Sequence, residues 1–216
     1  MSDPKLERRF NTHKVEIRES GDADSAPTIT GMAAVFNTRS ENLGGFTEII
    51  APGAFDGVLQ DDTRGLFNHD ANIVLGRRGA DTLKLTVTDE GLRYDINPPD
   101  TQLVRDMVLE PMRRGDIDQS SFGFFVGEDD WSEDKDTGAM TRTITKVDRL
   151  LDVSPVTFPA YPDTKVAVTR MEEFRSIRGG DDSDSPDGDD DQEVEELRAE
   201  VSRLRGEVKR LADLLR

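Results

Sequence analysis

Gln119-Ser120-Ser121-Phe122-Gly123-Phe124-Phe125-Val126 sets two adjacent hydroxyls and a glycine inside an otherwise apolar, aromatic run. Aromatic residues at that density need a core, so the run reads as a buried strand. Two serines inside such a strand need partners. Either neighbouring backbone satisfies them, or one is a nucleophile held on a rigid strand, with Gly123 letting another backbone approach closely. What the rest of the chain offers a serine decides between these readings.

The chain has 216 residues, enough for one domain of ordinary size plus an appendage. Its formal net charge is -17. Phosphate neutralisation needs clustered Lys and Arg, so the balance argues against nucleic-acid binding and for a solvated, self-repelling protein. Cysteine is absent, which excludes disulfides, thiolate nucleophiles and Cys-ligated zinc. The two histidines are His13 and His69, so a zinc site would lean on carboxylates, and neither metal nor cofactor is expected. No apolar run reaches membrane-spanning length, and Met1 to Phe10 lacks the apolar core of a signal peptide. The expectation is a soluble, intracellular chain that binds neither membrane nor nucleic acid.

Upstream of the serine strand, Asp100 to Arg114 changes period. Asp100 is a good N-cap, and Leu103, Val104, Met107, Val108 and Met112 make an i, i+3, i+4 stripe, with Pro111 kinking or restarting the last turn. Earlier segments read as short strands: Lys14–Arg18, Thr28–Phe36, Phe46–Ile50, Gly65–His69, Ile73–Arg77, Leu83–Val87 and Leu92–Ile96. Pro52 favours a short helix with Phe55 and Leu59 on one face. Residues 1–13 read as a flexible end, with His13 on the surface. Downstream, the acidic stretch from Gly127 to Gly138 reads as an exposed hairpin tip around an isolated Trp131. A two-faced strand from Ala139 and the apolar Leu150–Val156 follow. Many short strands at this spacing point to a barrel or a sandwich.

Residues 178–192 are almost wholly Asp, Ser, Gly and Pro. Such a stretch cannot bury enough apolar area to offset its ordering entropy and reads as a disordered, charge-extended linker. Beyond it, Val194, Leu197, Val201, Leu204, Val208, Leu211 and Leu215 alternate spacings of three and four, with valine at a and leucine at d. Three heptads are short, and Gly206 costs the helix roughly 1 kcal/mol, so segment 193–216 reads as a coiled-coil helix that needs a partner.

A serine nucleophile needs a base, and the base needs an orienting group. The chain supplies His69, Ser121 and Asp152 in that order, each on or at the end of a short apolar strand. On the residues alone, His69 reads equally as a satisfied strand-end histidine and Asp152 as a cap on the Ser154-Pro155 turn. Ser120 rivals Ser121, and Asp70 rivals Asp152, although alternation along a strand turns Asp70 away from His69's face.

Four phrases resemble, together and in order, the prohead (capsid maturation) serine proteases of HK97-type tailed phages, a group related to the herpesvirus assemblins. They are Ile50-Ala51-Pro52-Gly53-Ala54-Phe55, Asn68-His69-Asp70, Ser121-Phe122-Gly123-Phe124, and Leu151-Asp152-Val153-Ser154-Pro155-Val156-Thr157-Phe158-Pro159-Ala160. The resemblance covers roughly Lys14 to Thr169 and implies an α+β, mainly β domain over 14–177, with a small closed β-barrel wrapped by a few helices. It implies a serine endopeptidase with His69 as base, Ser121 as nucleophile by its offset to Gly123, and Asp152 as orienter where many members have glutamate. It further implies action inside the assembling prohead in the host cytoplasm. The expected partner is the major capsid protein or its scaffold (delta) segment, with self-association through 193–216 as the other use of the tail. A non-catalytic capsid scaffolding protein with a helical oligomerisation tail accounts for the acidity and the heptads without a triad. An esterase is disfavoured because no Gly-x-Ser-x-Gly surrounds Ser121.

Overall fold

A computed structural model describes residues 6–11, 13–19, 27–158 and 171. Its contacts divide the chain into Met1–Arg175 and Ser176–Arg216. The acidic stretch 178–192 and the heptad segment 193–216 lie outside the described residues, as does Thr164–Arg170, whose sequence reads as a last strand or the start of a helix.

The first unit is mainly β. Its backbone is a long antiparallel hairpin of β9 (Gln119–Glu133) and β10 (Met140–Val156). On one side β9 pairs with β1 (Glu7–Asn11). On the other side β10 pairs in parallel with β5 (Arg64–Phe67) and, further up, with β4 (Phe46–Ile50). β5 turns into β6 (Asp70–Arg77), which completes six strands. A second, four-stranded sheet runs β2 (Glu16–Arg18), β3 (Thr28–Val35), β8 (Gly91–Ile96), β7 (Leu83–Val87). Both sheets bury one apolar face in a shared core, Phe67, Leu75, Phe122, Phe124 and Val153 from the first against Ile29, Leu92 and Ile96 from the second.

The two sheets do not close into the expected barrel. Between β6 and β7 the chain makes a 3₁₀ turn at Arg78–Ala80 and passes Asp81 at φ +55°. That turn carries the chain from one sheet to the other instead of making the hairpin that would join their edges. Nor do several helices wrap the sheets: among the described residues there is one helical rod, 102–114. Thr101, not Asp100, caps it, its side chain accepting from the Val104 N–H, while Asp100 pairs with Arg105. The rod widens to a π-helical stretch at Arg105–Leu109 before resuming at Glu110–Arg114. Pro111 explains the widening, since it has no N–H to donate and its ring crowds the preceding turn. The extra residue rotates the buried face onto Val104, Val108, Leu109 and Met112, leaving Leu103 and Met107 exposed.

Three other segments depart from expectation. The short helix at Pro52 is a series of turns with i to i−3 hydrogen bonds, because Gly53 sits at φ +85° and breaks the helical ladder. Trp131 is not at an isolated tip, since β9 runs past it. Its ring lies 5.0 Å from Phe46, with the Arg142 guanidinium 5.7 Å above it. Finally Glu7–Asn11, expected to fray, form β1 with Glu7 and Arg9 buried. Their charges are matched inside the fold, by Glu48 and Arg142, in a way that local sequence does not reveal.

Candidate active site

Side chains alternate across a strand, so Ser121 and Gly123 of β9 share a face, as do Asp152 and Ser154 of β10. The register sets Ser121 opposite Ser154 and Gly123 opposite Asp152. A β-bulge between Leu150 and Asp152 gives β10 one residue more than its partner there. Bulges re-aim side chains, and this one brings Asp152 onto the serine's face.

His69 reaches the same face from a turn. Asn68 and His69 link β5 to β6 with φ of +53° and +58°, the pattern of a two-residue type I′ hairpin turn. Asparagine and histidine are among the non-glycine residues found there most often, and holding either costs on the order of 1 kcal/mol. Asn68 anchors the turn to the end of β10. Its N–H donates to the Pro155 carbonyl at 3.1 Å, and its side-chain oxygen accepts from the Thr157 N–H at 2.8 Å.

The result is a continuous line. His69 Nδ1 is 2.5 Å from Asp152 Oδ2, and His69 Nε2 is 2.6 Å from Ser121 Oγ. Asp152 also accepts from Ser154 Oγ at 2.8 Å. With Asp152 holding the Nδ1 proton, Nε2 is left as the acceptor that faces the serine hydroxyl. Ser121 is fully buried, and the His69 and Asp152 side chains are less than a tenth exposed. A serine, an imidazole and a carboxylate in this order and at these distances are equipped for acyl transfer.

Ser120 points the other way. Its Oγ lies 2.6 Å from the Tyr94 hydroxyl in the core between the sheets. Burial pushes the Tyr94 phenol well above its ordinary value, the hydrogen bond to Ser120 opposing this only in part. Asp70 is also turned elsewhere, accepting from the Asn72 backbone and side chain. His13 is exposed. The Arg77 N–H donates to Thr82 Oγ1 at 2.9 Å and its guanidinium to Asp62, so neither points at Ser121.

Gly123 does something other than admit a substrate backbone. A Cβ there would stand 2.5 Å from Asp152 Oδ1, so its missing side chain makes room for the carboxylate. Two further groups are not apparent from the sequence: Ser154, an orienting hydroxyl on Asp152, and Arg9, whose carbonyl oxygen lies 3.0 Å from Ser121 Oγ. The only local trace of Ser154's part is its spacing of two from Asp152, which puts both on one face. A cavity of about 290 Å³ lies beside β1, lined by Arg9, Phe10, Thr38, Glu48 and Phe122 among others, and none of His69, Ser121 and Asp152 lines it.

This geometry is that of a serine hydrolase-type triad on a mainly β scaffold. A family model described as caudovirus prohead serine protease matches residues 13–177. The chain belongs to that family. No curated protein and no solved structure matched it.

Proposed function

We propose that this chain is a serine endopeptidase that cleaves capsid or scaffold protein, and itself, as a phage prohead matures. The observation that carries the reading is the unbroken line from Asp152 through His69 to Ser121, in a member of a prohead serine protease family. Ser121 attacks a peptide carbonyl carbon while its proton passes to His69 Nε2. Asp152 keeps the Nδ1 proton in place and opposes the charge of the imidazolium. The tetrahedral intermediate collapses as His69 returns the proton to the leaving amine. Water, activated by the same imidazole, then hydrolyses the acyl-enzyme. Ser154 holds the carboxylate and Asn68 holds the turn.

In this reading 14–177 is the protease domain, 178–192 a tether and 193–216 a docking helix. The helix carries the enzyme into the assembling shell, in the host cytoplasm, by pairing with the scaffold or delta segment of the major capsid protein. Intact mass after expression tests the proposal on the native chain, Ser121→Ala and Ser120→Ala. The expected result is a native chain that shortens and a Ser121→Ala chain that stays whole. If all three stay whole, and native chain given capsid protein with its scaffold segment leaves it uncut, a non-catalytic scaffolding role takes the place of the enzyme.

A further inference from the structure

β1 is an edge strand, and its register sets it over the nucleophile. Phe10 pairs with Ser121, Arg9 with Phe122 and Glu7 with Phe124. The Arg9 carbonyl oxygen, 3.0 Å from Ser121 Oγ, competes with His69 for the single hydroxyl proton. An extended chain held antiparallel on a strand, with alternate side chains in pockets, is a standard way to bind a peptide. Here one carbonyl of that chain is presented to the serine. Ser121 has no exposed surface, so a second peptide cannot reach it while β1 stays in place.

The side chains of β1 sit in a built site. Arg9 is buried, and its Nε and Nη2 donate to the two oxygens of Glu48 at 2.7 and 2.9 Å. Its guanidinium lies 5.9 Å from the Phe124 ring centre. Arg142, fully buried, donates to Glu7 at 2.8 and 3.1 Å, to Glu48 at 3.0 Å and to Asp129 at 2.6 Å. Lifting β1 out removes Glu7 and Arg9 together. Arg142 then faces Glu48 and Asp129, one guanidinium against two carboxylates. Buried charges left this way require replacement, and the replacement that fits is another cation beside Glu48 with an acid near Arg142.

We propose that β1 occupies the slot in which a substrate strand lies, as a resident pseudosubstrate. Glu48 then selects a basic residue at the position whose carbonyl meets Ser121, and Arg142 selects an acidic one two positions before it. This rests on the reading of Ser121 as nucleophile. The Glu-x-Arg triplet of residues 7–9 recurs at Glu16-Ile17-Arg18, inside β2, and at Glu173-Phe174-Arg175 and Glu196-Leu197-Arg198. The first of the latter two lies just ahead of the acidic stretch 178–192, so the bond between Arg175 and Ser176 is the assigned self-cleavage site. There the Arg175 carbonyl carbon acylates Ser121 Oγ, the Ser176 amine leaves with the proton from His69, and water releases the new carboxylate.

The test incubates full-length protein with a peptide of residues 168–183 and with copies carrying Arg175→Glu or Glu173→Lys, products being read by mass spectrometry. The peptide holds its own controls, since neither Arg170 nor Arg178 has an acid two positions earlier. The expected result is a cut after Arg175 alone, at least about tenfold slower with Arg175→Glu and several-fold slower with Glu173→Lys. A hexapeptide copy of residues 6–11 should inhibit, and its Arg9→Glu version should not. Labelling of Ser121 by a fluorophosphonate reports the nucleophile separately, and Arg9→Glu in the chain, which sets a third acid beside Glu48 and Glu7, should accelerate that labelling. Glu48→Gln should narrow the preference for arginine; if that variant does not fold, the peptide series on native protein still decides. A labelled enzyme that cuts all three peptides equally, cuts elsewhere or cuts none overturns the slot, as does equal labelling with and without Arg9→Glu. Absence of labelling in both chains overturns the nucleophile assignment itself.

Discussion

Residue 123 faces the Asp152 carboxylate across the β9–β10 pair, and its missing side chain is what leaves the carboxylate its place. Gly123→Ala should push Asp152 off the His69 Nδ1 and lower kcat/KM by about 10- to 100-fold while the melting temperature changes little. Asp152→Asn is more severe, because an amide cannot stabilise the imidazolium; a loss of order 10⁴ in kcat, measured on a peptide substrate, is expected. On the other face of the same strand, Tyr94 gives a stability prediction. Its phenol is raised by burial, so the folded state keeps a proton that the unfolded state releases near pH 10. The stabilisation is therefore complete below that pH and is lost as pH rises above it. In a Tyr161→Phe background, phenolate absorbance should appear only together with loss of the folded circular dichroism signal. At this scale the sequence was informative where a polar residue interrupts an apolar run, as His69, Ser121 and Asp152 do. It gave Gly123 a different part and Ser154 none as an orienter, because both parts depend on which residue of another strand stands opposite.

Two elements work against their local sequence. β10 is long, and its register on β9 shifts at four places. The site depends on the last of these, one extra residue before Asp152 that moves everything after it by one position on the partner. β1 is rich in charge and still buried, because Glu7 and Arg9 meet Glu48 and Arg142 from strands far off in the chain. Such clusters add little net stability when complete, but removing one partner strands the others in a dry interior. Arg142→Ala should therefore cost roughly 3–5 kcal/mol in a urea denaturation measurement and loosen β1 first, seen as faster amide exchange at 7–11. Periodicity gave the helical rod and the strands of both sheets other than β1, which was expected to fray. It could not give the π-helical turn that rotates the rod's face, since that follows from one proline acting on the turn before it.

For the whole molecule, closure was the property least legible in the sequence. Strand count and spacing are the same for a barrel and for two sheets, and the choice between them lies in the short turn from β6 to β7. The proposed docking helix raises the converse question, because its heptad spacing is legible in the sequence and the partner that would cover it is not. In the proposed docking helix, Val194, Val201 and Val208 would take a and Leu197, Leu204 and Leu211 d, an apolar seam with both charge signs flanking it. Glutamate at 204 and 211 would set charges in that proposed seam and leave residues 13–177, where the family match lies, unchanged. In full-length protein, Leu204→Glu with Leu211→Glu should leave the rate of fluorophosphonate labelling at Ser121 within about twofold of native. Co-purification with capsid protein that carries its scaffold segment should be lost. If the doubly substituted chain still co-purifies, the helix is not the docking element. If labelling falls together with co-purification, the tail acts on the enzyme itself, and sedimentation at several concentrations would then separate self-association from contact within one chain.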